Sequence, residues 1–185
     1  MAVSTQADAA PDHALTRLLR LGRPAIMGIL NVTPDSFSDG GRFVDTAVAA
    51  AHAERMVREG ADVLDIGGES TRPYGSVPVT AAEEWARVAP VLAQAVRLGV
   101  PVSIDTMKAE VAARALDAGA VIVNDVWGLQ RDDAMARVAK EHDAGLIVMH
   151  NRETADPAID ILAEVETFLA RSVALAEQAG VARAR

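Results

Sequence analysis

Residues 63–73 read VLDIGGESTRP, a short aliphatic run that stops at an aspartate and passes into glycines, hydroxyls and an arginine. The same order, an apolar run ended by a polar residue and followed by a helical stretch, occurs five times in the chain. The five junctions are Leu30 to Asn31, Leu64 to Asp65, Ile104 to Asp105, Val123 to Asn124 and Met149 to His150. Strands that are apolar throughout are expected to be buried on both faces, as in parallel sheets covered by helices. The pattern therefore predicts an α/β protein of about five βα units with parallel strands.

The stretches between these strands carry helix signals. Thr80 and Glu83 have the spacing of a capping box, and an apolar stripe runs on from them to Gly99. Alanine-rich segments at 44–59, 108–118 and 132–142 are each followed by a glycine, and a further apolar stripe covers 162–176. We expect one helix after each strand.

Two architectures share this pattern, an open doubly wound sheet and a (β/α)8 barrel. The strands start about 30 residues apart, so eight units would need roughly 250 residues or more. The chain has 185 residues, which is too few. Periodicity alone therefore favours a complete open sheet.

Composition narrows the functional class. The chain has 18 Lys and Arg against 26 Asp and Glu, a formal charge of -8, and no cysteine. Nucleic-acid binding needs a basic face, so we expect no nucleic-acid partner. Disulfides, thiolate metal sites and a cysteine nucleophile are excluded. With no long apolar run and no secretory signal pattern, we expect a cytoplasmic protein that acts on small molecules and does not bind a membrane.

The polar residues that end the strands predict a ligand site, because the carboxyl ends of parallel strands meet at one edge. The loop at 31–41, NVTPDSFSDGG, offers the hard oxygen ligands that Mg²⁺ prefers. The loop at 65–73 offers glycine amides, two hydroxyls and an arginine, which suit an oxyanion such as phosphate. Helix capping and ordinary turn chemistry remain open as alternatives for each residue and each loop.

Four segments resemble dihydropteroate synthase of folate biosynthesis in order and spacing. They are IMGILNVTPDSFSDGG at 26–41, DIGGESTRP at 65–73, SIDT at 103–106 and VNDV at 123–126. The resemblance runs from about residue 25 to the end of the chain. Residues 1–13, which are small and polar without periodicity, are predicted to form a flexible tail. The resemblance implies a TIM-type (β/α)8 barrel, incomplete here, over residues 14–185. It replaces the open sheet as our expectation.

The activity that the resemblance implies is condensation of 6-hydroxymethyl-7,8-dihydropterin diphosphate with p-aminobenzoate, releasing pyrophosphate. Asn31 would ligate the Mg²⁺ that holds the diphosphate. Asp65, Asp105 and Asn124 would bind the pterin, and Met149 would pack against its face. A carboxylate and an amide are suited to the alternating donors and acceptors of a pterin edge.

The two loops carry the other implied roles. Asp35 and Phe37 would close over the site and order the p-aminobenzoate pocket, while Thr71 and Arg72 would meet the diphosphate or the p-aminobenzoate. The candidate catalytic residues are Asp35, Thr71, Arg72 and Asp105. His150 could help to line the site, and Trp127 either packs beneath its loop or flanks the ligand.

The resemblance also implies that further strands of the family, with further pterin and diphosphate ligands, lie beyond Arg185. We therefore expect little or no synthase activity from this chain alone, and we leave open whether it forms the homodimer of the family. Two alternatives stay open. One is a non-catalytic fragment that needs a complementary chain. The other is a methyltetrahydrofolate-binding methyltransferase-type barrel, which would share Asp105 and Asn124 but would lack the diphosphate loop after the first strand.

Overall fold

The computed structural model describes residues 13–33, 42–70 and 78–185. Within these ranges five strands form one parallel sheet, and they lie in the sheet in chain order. The strands are β1 (Met27–Asn31), β2 (Val63–Gly67), β3 (Val102–Asp105), β4 (Ile122–Asp125) and β5 (Gly145–Val148).

Helices precede, separate and follow the strands. They are α1 (Ala14–Leu19), α2 (Arg42–Arg58), α3 (Ala81–Ala95), α4 (Ala109–Asp117), α5 (Met135–Glu141) and α6 (Ile161–Gln178), with a short 3₁₀ turn at Val96–Leu98. From α2 to α6 each helix contacts the next one in the chain. None of the helices in these ranges is long and apolar enough to cross a membrane.

The order of the strands decides between the two architectures. A doubly wound sheet reverses its strand order at a switch point and carries helices on both faces. Here the order runs from β1 to β5 without reversal, and consecutive helices pack side by side. The preference for a complete open sheet was therefore wrong, because strand spacing counts the units but does not fix their order. The incomplete (β/α)8 barrel implied by the resemblance is confirmed.

The core lies between the strands and the helices. Leu30, Ile66, Ile104 and Val123 are exposed by 1% or less on the helix-facing side of the sheet. They belong to one cluster with buried side chains of the surrounding helices, including Val88, Leu92, Val111 and Met135. Burying apolar area of this kind is the main driving force for folding. The alanine-rich faces of the helices let them approach the sheet closely.

Two expectations from the sequence need correction. The strands are not buried on both faces throughout, since Ile29 in β1 is 60% exposed. Side chains alternate between faces, and the described residues cover only the helix-facing side of β1. In addition, α1 was not predicted; its N-terminus is capped by the His13 ring, which accepts a hydrogen bond from the Leu15 amide at 3.1 Å. Residues 1–12 of the expected tail lie outside the described ranges.

Candidate functional site

The strand register brings the candidate residues together on one face. Asn31, Gly67, Asp105 and Asn124 are aligned across the first four strands. One step lower on the same face, the register aligns Ile29, Asp65, Ser103 and Ile122. Residues two apart in a strand share a face, so both rows line the side of the sheet away from the helices.

Asp65 lies deeper than the sequence suggested. It sits in the middle of β2 rather than at its end, and it is only 3% exposed. The Asn124 side-chain amide donates a hydrogen bond to Asp65 Oδ2 at 2.9 Å, across the intervening strand β3. The aliphatic run before Asp65 resembled a strand that stopped there, but Ile66 and Gly67 continue the pairing with β1 and β3.

The two aligned rows form a polar wall on this face of the sheet. Several buried acceptors in the wall have no hydrogen-bond partner among the described residues. They are Asp65 Oδ1, Asp105 Oδ1 and Ser103 Oγ. Buried polar atoms in folded proteins are paired in the great majority of cases, because an unpaired one is costly. Two unpaired carboxylate oxygens on one face therefore mark a place where the donors of a ligand would be stabilising.

The acidity of the two aspartates follows from this environment. Burial, together with the nearby carboxylates of Asp65, Glu84 and Asp125, raises the pKa of Asp105 to about 7. Burial also raises the pKa of Asp65, and the hydrogen bond from Asn124 opposes this rise. Like charges in a low-dielectric site disfavour joint ionisation. The wall therefore takes a proton near neutral pH and would favour a ligand that supplies N–H donors or positive charge.

Gly67 leaves a gap between two of the polar side chains. A methyl group on Gly67 would lie 3.3 Å from Asp105 Oδ2 and 3.6 Å from Asn31 Oδ1. The absence of a side chain thus opens space between an amide oxygen and a carboxylate oxygen. The sequence pointed to Gly67 for its backbone amide, whereas the structure shows that it also provides this space.

A charged cluster next to the site was missed by the sequence reasoning. Lys108, just before α4, donates from Nζ to Glu84 Oε2 of α3 at 2.6 Å and also to Glu69, which follows Gly68. Glu84 is 1% exposed. The available signal was a lysine three residues after the end of β3, but its two partners are 24 and 39 residues away in sequence.

Three residues after the later strands have distinct surroundings. Met149 follows β5 directly and is 46% exposed. The His150 ring packs edge-on against Phe168 of α6, with centroids 5.0 Å apart, so it lies against that helix. The Trp127 ring lies 4.8 Å from the guanidinium carbon of Arg131. Asp35, Phe37, Thr71 and Arg72 lie outside the described residues, and their roles remain predictions.

Comparison with known proteins agrees with this picture. Residues 27–185 match the family model described as pterin binding enzyme. The dihydropteroate synthase of Bacillus subtilis is 50% identical over 157 residues, which covers 84% of this chain and 54% of that protein. The dihydropteroate synthase of Clostridium beijerinckii is 45% identical over 161 residues, covering 86% of this chain and 59% of that protein.

Solved structures give the same result. Dihydropteroate synthase from Xanthomonas albilineans with 4-aminobenzoic acid superposes with a TM-score of 0.82 at 44% identity, covering 88% of this chain and 59% of that one. The enzyme from Anaplasma phagocytophilum with bound 6-hydroxymethylpterin-monophosphate gives 0.78 at 39% identity, with 86% and 64% covered. The chain thus spans between half and two thirds of the length of these relatives. Because the family model matches residues 27–185, the chain belongs to the pterin-binding enzyme family.

Proposed function

We propose that this chain is the pterin-binding part of a dihydropteroate synthase, which joins 6-hydroxymethyl-7,8-dihydropterin diphosphate to p-aminobenzoate and releases pyrophosphate. The observation that carries this proposal is the pair of unpartnered buried oxygens on Asp65 and Asp105, beside Asn124. The names of the relatives and the ligands in two of their structures support it. The acidic balance of the chain also favours a small-molecule ligand over a nucleic-acid partner, and we propose that the protein acts in the cytoplasm.

Recognition of the pterin follows from the chemistry of this wall. A pterin edge presents N–H donors beside acceptors, and a carboxylate can accept from two adjacent donors. Asp105 and Asp65 offer such oxygens, and the bond from Asn124 to Asp65 fixes the orientation of the amide. Charge-assisted hydrogen bonds of this kind are stronger than neutral ones. Met149, exposed after β5, is proposed to pack against the ring.

The same carboxylates would assist the reaction itself. When the diphosphate leaves, positive charge spreads into the pterin ring. Asp105, which accepts the N–H donors of the ring as a carboxylate, would lie opposite this charge and stabilise it. Preorganised charge in a site that excludes water is worth more than the same charge in water. The reaction needs no covalent nucleophile on this wall.

The gap at Gly67 is also relevant to the binding of Mg²⁺. Its rim holds the oxygens of Asn31 and Asp105, which are the hard donors that this ion prefers. Within the described residues no group of three or more His, Asp or Glu side chains could hold a metal ion. Mg²⁺ is commonly bound by one or two protein oxygens together with substrate phosphate and water, so Asn31 fits as a single ligand. When bound, the ion would neutralise charge on the departing diphosphate.

The loop residues complete the proposal. Thr71 and Arg72 would contact the diphosphate or the p-aminobenzoate, with Arg72 able to form two parallel bonds to an oxyanion. Asp35 and Phe37 would order the p-aminobenzoate pocket. These four roles rest on the sequence resemblance.

Pterin binding by the chain is the first test. We expect 6-hydroxymethylpterin to bind in a fluorescence titration, and we expect Asp105→Asn and Asn124→Ala each to weaken it by about tenfold, since each removes a charged or paired hydrogen bond. Thr167→Ala, on an exposed turn of α6, is the matched control and should bind like the wild type. Equal affinity in all four proteins would refute a pterin site on this wall.

Turnover is the second test. With both substrates, the chain alone should release little pyrophosphate, and co-expression with a second chain that supplies the remaining strands of the relatives should restore release. Asp105→Asn should abolish the restored activity. Restored release that is insensitive to Asp105→Asn would contradict the role given to this residue. Turnover by the chain alone at a normal enzymatic rate would show that the additional strands are dispensable.

A further inference from the structure

We propose that Gly128 is a positioning residue for Met149, because it lets the turn after β4 pack against the segment after β5 and so places Met149 to contact the face of the pterin ring. This inference rests on the proposed function, since Met149 meets a ring only if the wall binds a pterin. It concerns the face of the ring, whereas Asp65, Asp105 and Asn124 are proposed to bind its edge.

The turn after β4 meets the backbone of Met149 at two points. The Met149 amide donates to the carbonyl oxygen of Asp125 at 3.2 Å, just beyond the last register pair of β4 and β5. The Met149 carbonyl oxygen lies 3.1 Å from the position that a methyl group on Gly128 would occupy. The backbone from which the Met149 side chain extends is therefore held by this turn as well as by β5.

A buried carboxylate fixes the shape of the turn. Asp125 is 1% exposed, and it accepts hydrogen bonds from the Trp127 amide at 2.8 Å and from the Leu129 amide at 2.7 Å. Between these two amides Gly128 has a φ of +57°, in the left-handed region that glycine adopts without steric cost. The turn is therefore held to the end of β4 in one conformation.

Gly128 also packs against α6, with no room for a side chain. A methyl group there would lie 2.6 Å from Ser172 Oγ and 2.8 Å from Phe168 Cε1. Both distances are shorter than an ordinary van der Waals contact, so even an alanine would force the turn, α6 or the Met149 segment to move. The missing side chain of Gly128 thus sets the distances between these three parts.

Gln130 joins the same turn to α6 by hydrogen bonds. Its side-chain amide donates to the Phe168 carbonyl oxygen and to Ser172 Oγ, each at 3.1 Å. The residue after Met149, His150, packs its ring edge-on against Phe168. The segment after β5 therefore contacts both the turn and α6, while Met149 is 46% exposed and remains accessible to a ligand.

The first test uses substitutions that leave the charge of the chain unchanged, because a change of charge would also affect the aspartates of the wall. In a fluorescence titration with 6-hydroxymethylpterin we expect Gly128→Ala to bind about tenfold more weakly, as much as contact between a methionine sulfur and an aromatic ring supplies. Gly22→Ala is the matched control. Gly22 has a φ of +69° with nothing within 4 Å of an added methyl group, so its variant carries similar backbone strain without a clash and should bind like the wild type.

A double-variant cycle shows whether Gly128 acts through Met149. Met149→Ala should weaken binding by about tenfold, and adding Gly128→Ala should cause no further loss, because both remove the same contact. Losses that multiply would overturn the proposal, and so would full affinity in either single variant. If Gly128→Ala does not fold, Gln130→Leu replaces it in the cycle with an expected loss of about threefold. Its control is Gln94→Leu, the same change at an exposed position of α3.

Nuclear magnetic resonance of the methionine methyl groups gives a readout that reduced stability alone does not change. The chain has 6 methionines, and the Met149 signal is the one that disappears in Met149→Ala. With saturating 6-hydroxymethylpterin, the ring current should shift this signal upfield in the wild type and clearly less in Gly128→Ala. An equal shift in both proteins would overturn the proposal.

The same measurements separate this inference from the proposed function. If the wild type does not bind 6-hydroxymethylpterin, the proposed function fails. If it binds, and Asp105→Asn weakens binding while Gly128→Ala changes neither the affinity nor the methyl shift, only the positioning role fails.

Discussion

The two faces of the sheet are built by the same strands and have opposite character. On the helix-facing side Leu30, Ile66, Ile104 and Val123 are apolar and almost completely buried. On the other side the adjacent positions carry Asn31, Asp65, Asp105 and Asn124, with unpaired oxygens and raised aspartate pKa values. Side chains alternate along a strand, so one segment of sequence encodes both faces. One face stabilises the fold, and the other carries groups whose burial is costly without a ligand.

This comparison predicts the largest effect for a truncation on the apolar face. Ile104→Ala should lower the free energy of unfolding by about 2–5 kcal/mol, because it removes buried methyl groups and leaves a cavity. Ile29→Ala makes the same chemical change on the other face, where the residue is 60% exposed. There we expect a loss of less than about 1 kcal/mol, as for most surface changes. Urea denaturation measures both, and similar losses would show that the faces do not differ as described.

The next effect concerns the proton on Asp105, whose pKa is raised from 3.8 to about 7. Between these pH values the folded chain binds more protons than the unfolded chain, so this residue contributes stability at low pH that is lost as the pH rises through 7. Asp105→Asn keeps a neutral side chain at every pH. We expect it to match the wild type near pH 4 and to exceed it by about 4 kcal/mol at pH 8, since each pKa unit corresponds to about 1.4 kcal/mol. Parallel pH profiles from urea denaturation would contradict this.

A smaller effect is expected from the hydrogen bond between Asn124 and Asp65. Asn124→Ala leaves Asp65 Oδ2, in a residue only 3% exposed, without this donor. We expect a loss of about 1–2 kcal/mol in the free energy of unfolding at neutral pH, the cost of an unsatisfied buried acceptor. The loss should diminish at acidic pH, where protonation of Asp65 removes the charge. Thermal or urea unfolding at two pH values measures this, and a pH-independent loss would count against it.

The smallest effects are expected from two substitutions that each add one methyl group, one on each face of the sheet. They should distinguish the two faces most clearly. Gly67→Ala would fill the gap beside Asp105 and weaken pterin binding by about tenfold, with little change in stability. Gly28→Ala adds its methyl on the helix-facing side, 3.0 Å from Met56 Sδ. It should cost about 1 kcal/mol of stability through overpacking and leave binding unchanged. Loss of binding in Gly28→Ala with none in Gly67→Ala would reverse the assignment of the faces.

Much of the fold could be predicted from the sequence, because each element is defined locally. The capping box of Thr80 and Glu83 is present, and the helices after the five strands lie within a few residues of their expected positions. Asn31, Asp105 and Asn124 were identified because each follows an apolar run. Asp65 was placed too near the end of its strand, since the two glycines after Ile66 resembled the start of a loop.

The residues that were missed depend on contacts between distant parts of the chain. Lys108 gains its significance from Glu69 and Glu84, which lie on other elements. The space at Gly67 exists only because Asn31 and Asp105 lie on either side of it. Neither feature has a local signature in the sequence. Strand periodicity alone, which carries no information on contacts between distant segments, favoured the wrong strand order.

The sequence by itself determined the alternation of strands and helices, the apolar face of each strand and the identity of the polar residues beside it. These properties follow from side-chain chemistry and from backbone periodicity within a few neighbouring residues. Only the tertiary structure decided the order of the strands, the depth of Asp65, the raised pKa of Asp105 and the ion pairs of Lys108. Burial and the distances between charges depend on which segments pack together, and that packing joins residues tens of positions apart.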